Sequence, residues 1–314
     1  MARCFATRKL PGEALERLAA EHDVEVWPEA MPPSPEELRA RVEGREGLLA
    51  LVTEPIDADL IEAAGELRAI SNYAVGVDNV DVEAATARGI PVGHTPGVLT
   101  ETTADLAFAL IMAVARKVVF GDAYVRRGDW RTWEPGGELL GRDVHGATLG
   151  VVGFGQIGRA VARRAEGFAM EVLHSDVDSG VPLDELLERS DFVTIHSPLT
   201  PQTKGLIDEQ ALRRMKQTAY LVNTARGPIV DMDALDRALR EGWIAGAGLD
   251  VTNPEPVPID HPLLGAPNLT ILPHVGSGSE GTRRAMAEMA VDNLLAGLAG
   301  ERMPNCVNPE VYES

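Results

Sequence analysis

Two patterns of hydrophobic and polar positions alternate along this chain. Short runs rich in apolar residues, such as 3–6 and 148–152, are separated by stretches whose apolar residues recur every three or four positions. The first pattern predicts buried strands and the second predicts amphipathic helices. Strands that alternate with helices in this way form parallel sheets flanked by helices, so the chain is predicted to have an α/β fold.

The first hundred residues are predicted to contain five strands and four helices. Pro11, Pro35 and Pro55 lie at or just before predicted helix starts, where a missing N–H group costs least. The predicted strands are Arg3–Ala6, Val24–Trp27, Leu48–Val52, Arg68–Ser71 and Pro91–Val92, and the predicted helices are Gly12–Glu21, Pro35–Val42, Asp57–Ala64 and Val82–Arg88.

A long helix and a second strand–helix series follow. One helix is predicted from Thr100 to Arg127, and a loop rich in Gly and Trp then runs from Gly128 to Gly146. The second series occupies residues 148–275, and a final helix covers Glu280–Ala299. Two such series in 314 residues indicate two domains, because a single hydrophobic core rarely grows beyond about 250–300 residues.

Charge and composition narrow the classes of partner. The chain carries 48 acidic and 29 basic residues, a formal net charge of −19. Phosphate backbones repel so acidic a protein, so we expect no nucleic-acid partner, and an anionic substrate needs local positive charge. The N-terminus shows no apolar signal segment, and the longest mostly apolar stretch, 106–115, is about half of what spans a bilayer. We therefore expect a cytoplasmic protein without membrane contact.

A glycine-rich turn follows the first strand of the second series. The strand Thr148–Val152 runs into Gly153-Phe154-Gly155-Gln156-Ile157-Gly158, and a helix follows. Gly153 permits the tight turn, Gly155 lets the backbone approach a pyrophosphate, and Gly158 lets the helix pack on the strand. The helix N-terminus favours the negative charge of that pyrophosphate. The arrangement is typical of dinucleotide binding.

An acidic residue ends the next strand. Asp176 lies 23 residues after Gly153, where a carboxylate can bind the ribose 2′-hydroxyl and repels a 2′-phosphate. Val177 and Asp178 follow, with no Arg or Lys to neutralise that carboxylate. The sequence therefore predicts NAD(H) as the cofactor, with NADP(H) disfavoured.

Three residues near strand ends suit the reduction of a 2-keto acid, which needs a grip on the carboxylate and a proton for the ketone oxygen. Arg226 can bind a carboxylate with two hydrogen bonds. His274 can carry a proton near neutral pH. Glu255 can orient the imidazole and favour its charged form. Taken singly, a loop His or Glu is more often structural, and the remaining histidines form no ligand spacing, so no metal site is expected.

Five segments resemble the D-isomer-specific 2-hydroxyacid dehydrogenases, and among them the glyoxylate/hydroxypyruvate reductases. The resemblance implies a Rossmann-type NAD-binding domain at 98–281 and a flavodoxin-like, discontinuous substrate domain at 1–97 and 282–314, with a cleft between them. It also implies a homodimer built around the long helix and the loop after it. The segments, which together cover nearly the whole chain, are 72–81, 95–107, 153–158, 223–227 and 248–277.

The resemblance also implies roles for individual residues in an oxidoreductase that acts on the CH–OH group of a small anionic 2-hydroxy acid with NAD as acceptor. Arg226, Glu255 and His274 form the catalytic set. Backbone N–H groups of Val75 and Gly76 help Arg226 to hold the substrate carboxylate. Cofactor contacts are implied for Thr103, Gly153, Gly155, Gln156, Ile157, Gly158, Asp176, Ser197, Thr224, Ala225, Asp250, His274 and Gly276.

Two segments depart from the family pattern and leave the substrate open. The stretch between Asp176 and Leu183 is short, and residues 134–138 read Glu-Pro-Gly-Gly-Glu where related reductases often carry a bulky aromatic residue. A 3-phosphoglycerate dehydrogenase is an alternative, although it needs further cationic groups. A formate dehydrogenase is disfavoured by Glu255. A non-catalytic NAD-sensing protein is the alternative of a different class.

Overall fold

The computed structural model describes residues 1–313, which divide into two compact units. The first unit comprises Met1–Leu99 and the C-terminal segment that begins at Ser277, and we call it the discontinuous unit. The second, Thr100–Gly276, is the continuous unit. Within residues 1–313 no helix combines the length and the apolar character needed to cross a bilayer.

Strands and helices alternate along the chain, as the hydrophobic pattern predicts. The first series is β1 (Arg3–Ala6), α1 (Ala14–Glu21), β2 (Asp23–Val26), α2 (Pro35–Val42), β3 (Gly47–Ala50), α3 (Ala58–Ala63), β4 (Ala69–Asn72), α4 (Val82–Ala87) and β5 (Val92–Gly93). The middle of the chain contains α5 (Thr100–Ala115), α6 (Val118–Arg126), β6 (Thr148–Val152), α7 (Gln156–Glu166), β7 (Glu171–Asp176), β8 (Ser179–Gly180), α8 (Leu183–Arg189) and β9 (Phe192–Ile195). The last elements are α9 (Glu209–Arg214), β10 (Tyr220–Asn223), α10 (Met232–Glu241), β11 (Gly246–Leu249), β12 (Leu269–Ile271) and α11 (Glu280–Ala299).

The discontinuous unit is built on a five-stranded parallel sheet with the order β2-β1-β3-β4-β5. This is the flavodoxin-like order. Its central strands β3 and β4 are fully buried, which explains why β3 reads as a continuous apolar run, whereas β4 ends on the buried polar residues Ser71 and Asn72. The C-terminal helix α11 packs on the same sheet, and Ser71 Oγ in β4 donates a 2.7 Å hydrogen bond to the Ala290 carbonyl of that helix. Residues from both ends of the chain therefore share one core.

The continuous unit contains a seven-stranded sheet with the order β12-β11-β10-β9-β6-β7-β8. The chain starts at β6, moves outward to β7, and then returns to the other side of β6 with β9. The strand order thus reverses between β6 and β9, and in open α/β sheets ligands bind beside the carboxyl ends of the strands at such a point. The predicted α/β fold with Rossmann-type and flavodoxin-like sheets is confirmed.

The long helix predicted for Thr100–Arg127 is wrong in one respect, because the structure divides it into α5 and α6. Lys117, between them, has a left-handed backbone with φ of +51°. The loop after α6 returns to this break, where the Arg142 N–H donates to the Ala115 carbonyl over 2.8 Å and a Cβ at Gly141 would collide with the same carbonyl. Apolar residues continue on both sides of the break, so periodicity alone does not reveal it.

The edge strand β8 is also absent from the sequence-based prediction, which contained parallel strands alone. It pairs antiparallel with β7 through a two-residue turn, Val177-Asp178. Gly180 has φ of +91°, and a Cβ there would collide with the His174 carbonyl, so only glycine permits this pairing. The short segment after Asp176 is therefore a tight hairpin.

Candidate active site

The loops after three neighbouring strands carry the residues predicted to be catalytic. Strands β10, β11 and β12 are adjacent and parallel, so their carboxyl ends meet at one edge of the sheet. Arg226 follows β10, Glu255 follows β11 and His274 follows β12. Parallel pairing thus brings loops that are far apart in the sequence to the same edge.

The imidazole of His274 and the carboxylate of Glu255 form a short hydrogen bond. His274 Nδ1 lies 2.6 Å from Glu255 Oε1, and about a third of each side chain is exposed. A carboxylate can only accept a hydrogen bond, so Nδ1 carries the proton and Nε2 remains for exchange with another group. A histidine that is oriented by a neighbouring carboxylate in this way is a common arrangement for proton transfer in enzymes.

The loop that carries His274 is held by the buried Asp250. The Asp250 carboxylate accepts from the N–H groups of Val275 (2.8 Å) and Gly276 (2.7 Å), and the His274 N–H donates to the Asp250 carbonyl over 2.9 Å. His274 itself has φ of +54°, a conformation that costs a non-glycine residue roughly 1–3 kcal/mol. Burial raises the pKa of Asp250, against the effect of its two backbone hydrogen bonds. The carboxylate therefore supports the strained backbone beside the imidazole.

The loop that carries Arg226 is locked to its neighbour at the sheet edge. Asn223 at the end of β10 donates from Nδ2 to the Arg226 carbonyl over 2.9 Å and accepts from the Ala225 N–H over 3.0 Å. A Cβ at Gly227 would collide with the carbonyl of Thr252, which belongs to the loop after β11. The sequence 223–227 therefore sets the backbone from which the Arg226 guanidinium extends.

The glycines of the turn after β6 differ in what surrounds them. A Cβ at Gly153, where φ is +87°, would collide with the Ser197 amide, and a Cβ at Gly158 would collide with the Gly153 carbonyl. A Cβ at Gly155 would meet no atom within 4 Å. Gly155 precedes the first turn of α7, whose free N–H groups favour an anion. The space beside Gly155 and this helix end form a cradle that fits a pyrophosphate.

Two polar side chains flank this cradle. Ser197, after β9, has a buried Oγ with no hydrogen-bond partner among residues 1–313. Asp176, at the end of β7, is exposed and accepts from the N–H groups of Phe154 (2.6 Å) and Val177 (2.8 Å). A hydroxyl that lacks a partner and a carboxylate fixed at the rim of the turn are features that fit a bound NAD molecule.

The remaining residues predicted to contact the cofactor are in the same unit. Gln156 begins α7 and accepts a 3.2 Å hydrogen bond from the Thr100 hydroxyl, and Ile157 follows it, half-buried. Thr103 in α5 is buried, and a Cβ at Gly276 would lie 3.4 Å from its methyl group. Thr224 and Ala225 follow β10 directly.

Sequence reasoning missed the imidazole of His196. This residue follows β9, and its Nε2 lies 2.9 Å from the Thr194 hydroxyl, while its Nδ1 lies 3.5 Å from the Thr224 hydroxyl. Burial lowers the pKa of His196 to about 3, so the ring is neutral near pH 7. Its position directly after an apolar strand, which it shares with the predicted site residues, is the signal that could have found it.

The segment Val75-Gly76 lies in the discontinuous unit, after β4. The Val75 carbonyl lies 2.9 Å from His94 Nδ1, and the Gly76 carbonyl accepts from Asn72 Nδ2 over 3.0 Å. The N–H groups of Val75 and Gly76 have no hydrogen-bond partner in the described part of the chain. These two donors are therefore available to an anion.

No cluster of three or more His, Cys, Asp or Glu side chains is placed to hold a metal ion in residues 1–313. The groups that the predicted site residues present are an imidazole, a carboxylate, a guanidinium and backbone N–H groups.

Comparison with known proteins places the chain among close relatives. A family model described as "D-isomer specific 2-hydroxyacid dehydrogenase, NAD binding domain" matches residues 108–276. A glyoxylate reductase of Korarchaeum cryptofilum is 52% identical over 99% of this chain and 97% of its own length. The crystal structure of a Thermus thermophilus protein is 51% identical, with a TM-score of 0.91 over 97% of this chain and 99% of that one. The structure of an NADPH-dependent glyoxylate/hydroxypyruvate reductase from Sinorhizobium meliloti, in complex with NADP and malonate, is 32% identical, with a TM-score of 0.85 and 98% of each chain covered.

Proposed function

We propose that this chain, which belongs to the D-isomer-specific 2-hydroxyacid dehydrogenase family, is an NAD(H)-dependent glyoxylate/hydroxypyruvate reductase. Members of the family are oxidoreductases that act on CH–OH donors. Relatives that are 44–52% identical over nearly their full length carry the name glyoxylate reductase, which supports this substrate class. The observation that carries the proposal is the 2.6 Å contact between His274 and Glu255 at the sheet edge where Arg226 also emerges.

In the proposed mechanism each catalytic side chain has a separate task. Arg226 binds the substrate carboxylate with two charge-assisted hydrogen bonds. The N–H groups of Val75 and Gly76 are proposed as further donors to a substrate carboxylate. NADH, when bound, supplies the hydride to carbon 2. His274 donates its Nε2 proton to the ketone oxygen, and Glu255 holds the ring so that Nε2 presents that proton. In the oxidative direction neutral His274 accepts the hydroxyl proton.

The cofactor is proposed to bind beside the carboxyl ends of strands β6 and β9. The N–H groups at the start of α7 hold the pyrophosphate beside Gly155, and Asp176 binds the adenosine ribose. The family domain binds NAD, and a 32% identical relative uses NADPH, so preference between the two rests on Asp176. Its exposed carboxylate repels a 2′-phosphate, so we expect kcat/KM to be at least about tenfold higher with NADH. Comparable values for the two cofactors would contradict this preference.

The substrate proposal is tested by NADH consumption with four 2-keto acids. We expect glyoxylate and hydroxypyruvate to give the highest kcat/KM, ahead of pyruvate and 3-phosphohydroxypyruvate. A preference for 3-phosphohydroxypyruvate would identify a 3-phosphoglycerate dehydrogenase instead. Tight NADH binding without turnover of any of the four would favour an NAD-sensing protein.

We propose that the protein is a homodimer that associates through α6 and the following loop. Helix α6 exposes Val118, Val119, Phe120 and Val125, and the loop exposes 64% of Trp130 and 80% of Trp133. Large exposed apolar side chains that are concentrated in one stretch of the chain are typical of interaction sites. A second copy of the chain is the proposed occupant, because a two-fold interface uses the same patch on both subunits, and the Asp122 and Arg126 charges beside the patch pair with each other and so give it no net charge of one sign. The cytoplasmic location stays a prediction.

A further inference from the structure

Three consecutive carbonyl groups after β4 are all held by hydrogen bonds from the same unit. The Ala74 carbonyl accepts from the Thr95 N–H over 2.8 Å. The Val75 carbonyl lies 2.9 Å from His94 Nδ1, and the Gly76 carbonyl accepts from Asn72 over 3.0 Å. Two of the three donors thus belong to the short segment 94–95 that follows β5.

Because the peptide bond is planar, the hydrogen bonds that hold these carbonyls also fix the direction of the N–H group of the following residue. In a trans peptide the C=O of one residue and the N–H of the next lie in one plane and point in opposite directions. The Ala74 carbonyl therefore sets the direction of the Val75 N–H, and the Val75 carbonyl sets that of the Gly76 N–H. Both N–H groups point away from the segment 94–95, and successive N–H groups presented together make an anion-binding concavity.

The backbone of His94 is itself fixed by two other parts of the unit. Its carbonyl accepts a 2.8 Å hydrogen bond from Asn293 Nδ2 of α11, and its N–H donates to the Asn305 carbonyl over 3.1 Å. Asn293 is fully buried, and a Cβ at the neighbouring Gly93 would collide with it. The imidazole therefore extends from a rigid base toward the Val75 carbonyl. Because that carbonyl only accepts, His94 Nδ1 is the protonated ring nitrogen.

We propose that His94 is a positioning residue, which turns the Gly76 N–H toward the substrate carboxylate by holding the Val75 carbonyl. The proposal rests on the function proposed above, in which Val75 and Gly76 bind a carboxylate. His94 does not touch the substrate in this scheme. Its effect is on carboxylate affinity and not on the binding of NADH, which involves the other unit.

The test compares His94→Leu with His94→Asn, two side chains of nearly equal size. The Asn amide nitrogen lies as many bonds from the backbone as His94 Nδ1 and can donate to the same carbonyl, whereas Leu has no donor. For His94→Leu we expect roughly a five- to twentyfold rise in the KM for glyoxylate and in the Kd of oxamate, a keto-acid analogue, because one oriented hydrogen bond to a charged group is weakened. His94→Asn should stay within about threefold of the wild type, in line with a retained neutral hydrogen bond. The NADH Kd, measured by fluorescence, should not change in either variant.

Three outcomes in the His94 variants would overturn the proposal. Wild-type affinity for oxamate in His94→Leu would show that the hydrogen bond is not needed. Equal loss in both variants would show that the imidazole acts otherwise than as a donor, and a parallel loss of NADH affinity and Tm would show a merely structural role. If the wild type binds oxamate but does not reduce glyoxylate, the proposed function fails, and the oxamate comparison still decides the role of His94. If the wild type binds no oxamate, both fail.

Discussion

The buried Asp250 carboxylate holds the loop that carries His274 by accepting two backbone hydrogen bonds. The resemblance implies that Asp250 contacts the cofactor, whereas its observed partners are the N–H groups of Val275 and Gly276. Burial raises its pKa, yet both of these bonds require an acceptor, so the group is a support for the loop of His274. The predicted proton carrier His274 and the carboxylate that holds its loop are therefore neighbours, and single substitutions can test their roles separately.

Replacing Arg226 tests the proposed grip on the carboxylate. Arg226→Ala removes a charge-assisted contact worth roughly 2–4 kcal/mol at the transition state, so kcat/KM for glyoxylate should fall by about 30- to 1000-fold. Steady-state kinetics measure the fall, and the Kd of NADH is the internal control. The matched variant Arg226→Lys keeps the charge but not the planar fork, and should recover only part of the activity. Activity of Arg226→Ala within threefold of the wild type would refute the assignment.

Protonation of His196 is expected to make stability depend on pH. Its pKa is about 3 in the folded protein and 6.5 in the unfolded chain, so between these values the unfolded state binds a proton that the folded state excludes. Stability attributable to this group is therefore complete above pH 6.5 and declines as the pH falls, by up to about 1.4 kcal/mol per pH unit. Urea unfolding at pH 7 and pH 5 should show a smaller difference for His196→Asn than for the wild type.

The exposed His145 supplies the control for this measurement. His145→Asn should leave the difference between the two pH values unchanged. A wild-type difference that persists in full in His196→Asn would show that other groups cause the acid sensitivity.

At the scale of secondary-structure elements, the turn between β6 and α7 contains glycines that are needed for steric reasons and one that is available for ligand binding. Gly158 is needed because α7 packs on the turn, and Gly153 because of both its positive φ and the nearby Ser197 backbone. Gly155 has φ of −73° and open space around it, so nothing within residues 1–313 excludes a side chain there. Three glycines of one motif therefore have different physical reasons.

This difference predicts opposite outcomes for two alanine variants. Gly155→Ala should keep the wild-type Tm but raise the NADH Kd at least about tenfold, because its methyl group occupies the pyrophosphate space. Gly158→Ala should lose roughly 2 kcal/mol or more of stability, because the helix must move off the turn. Thermal unfolding and NADH fluorescence titration measure both effects. Wild-type NADH affinity in Gly155→Ala would place the pyrophosphate elsewhere.

Within the complete chain, the exposed surface of α6 allows a test of the proposed dimer. Val119→Glu places a charge in the apolar patch, so we expect light scattering to give the mass of one chain for this variant and of two chains for the wild type, since buried unpaired charges are costly. Ile259→Glu is the control, because Ile259 is 93% exposed but lies outside the patch. A wild-type monomer at micromolar concentration would exclude the dimer.

Some features of the structure could be predicted from the sequence and others could not, because some depend on local residues and others on distant parts of the chain. The strand–helix alternation and the glycine-rich turn were predictable because each follows from local periodicity or from a steric need of the turn itself. The break at Lys117 was not, since it depends on a distant loop that returns to the end of α5. The lowered pKa of His196 was not predictable either, because the burial that causes it arises only in the folded chain. Site roles inferred for Arg226, Glu255 and His274 stay predictions until kinetics test them.

The shared core of the discontinuous unit has a consequence for protein synthesis. Residues 1–99 leave the ribosome first, but the helix that covers β3 and β4 and the Asn293 side chain that holds His94 are made last. Residues 100–276 contain all the partners of their own sheet and can fold while translation continues. We therefore expect β3 and β4 to stay uncovered until α11 has been made, and transiently exposed apolar strands of this kind promote aggregation.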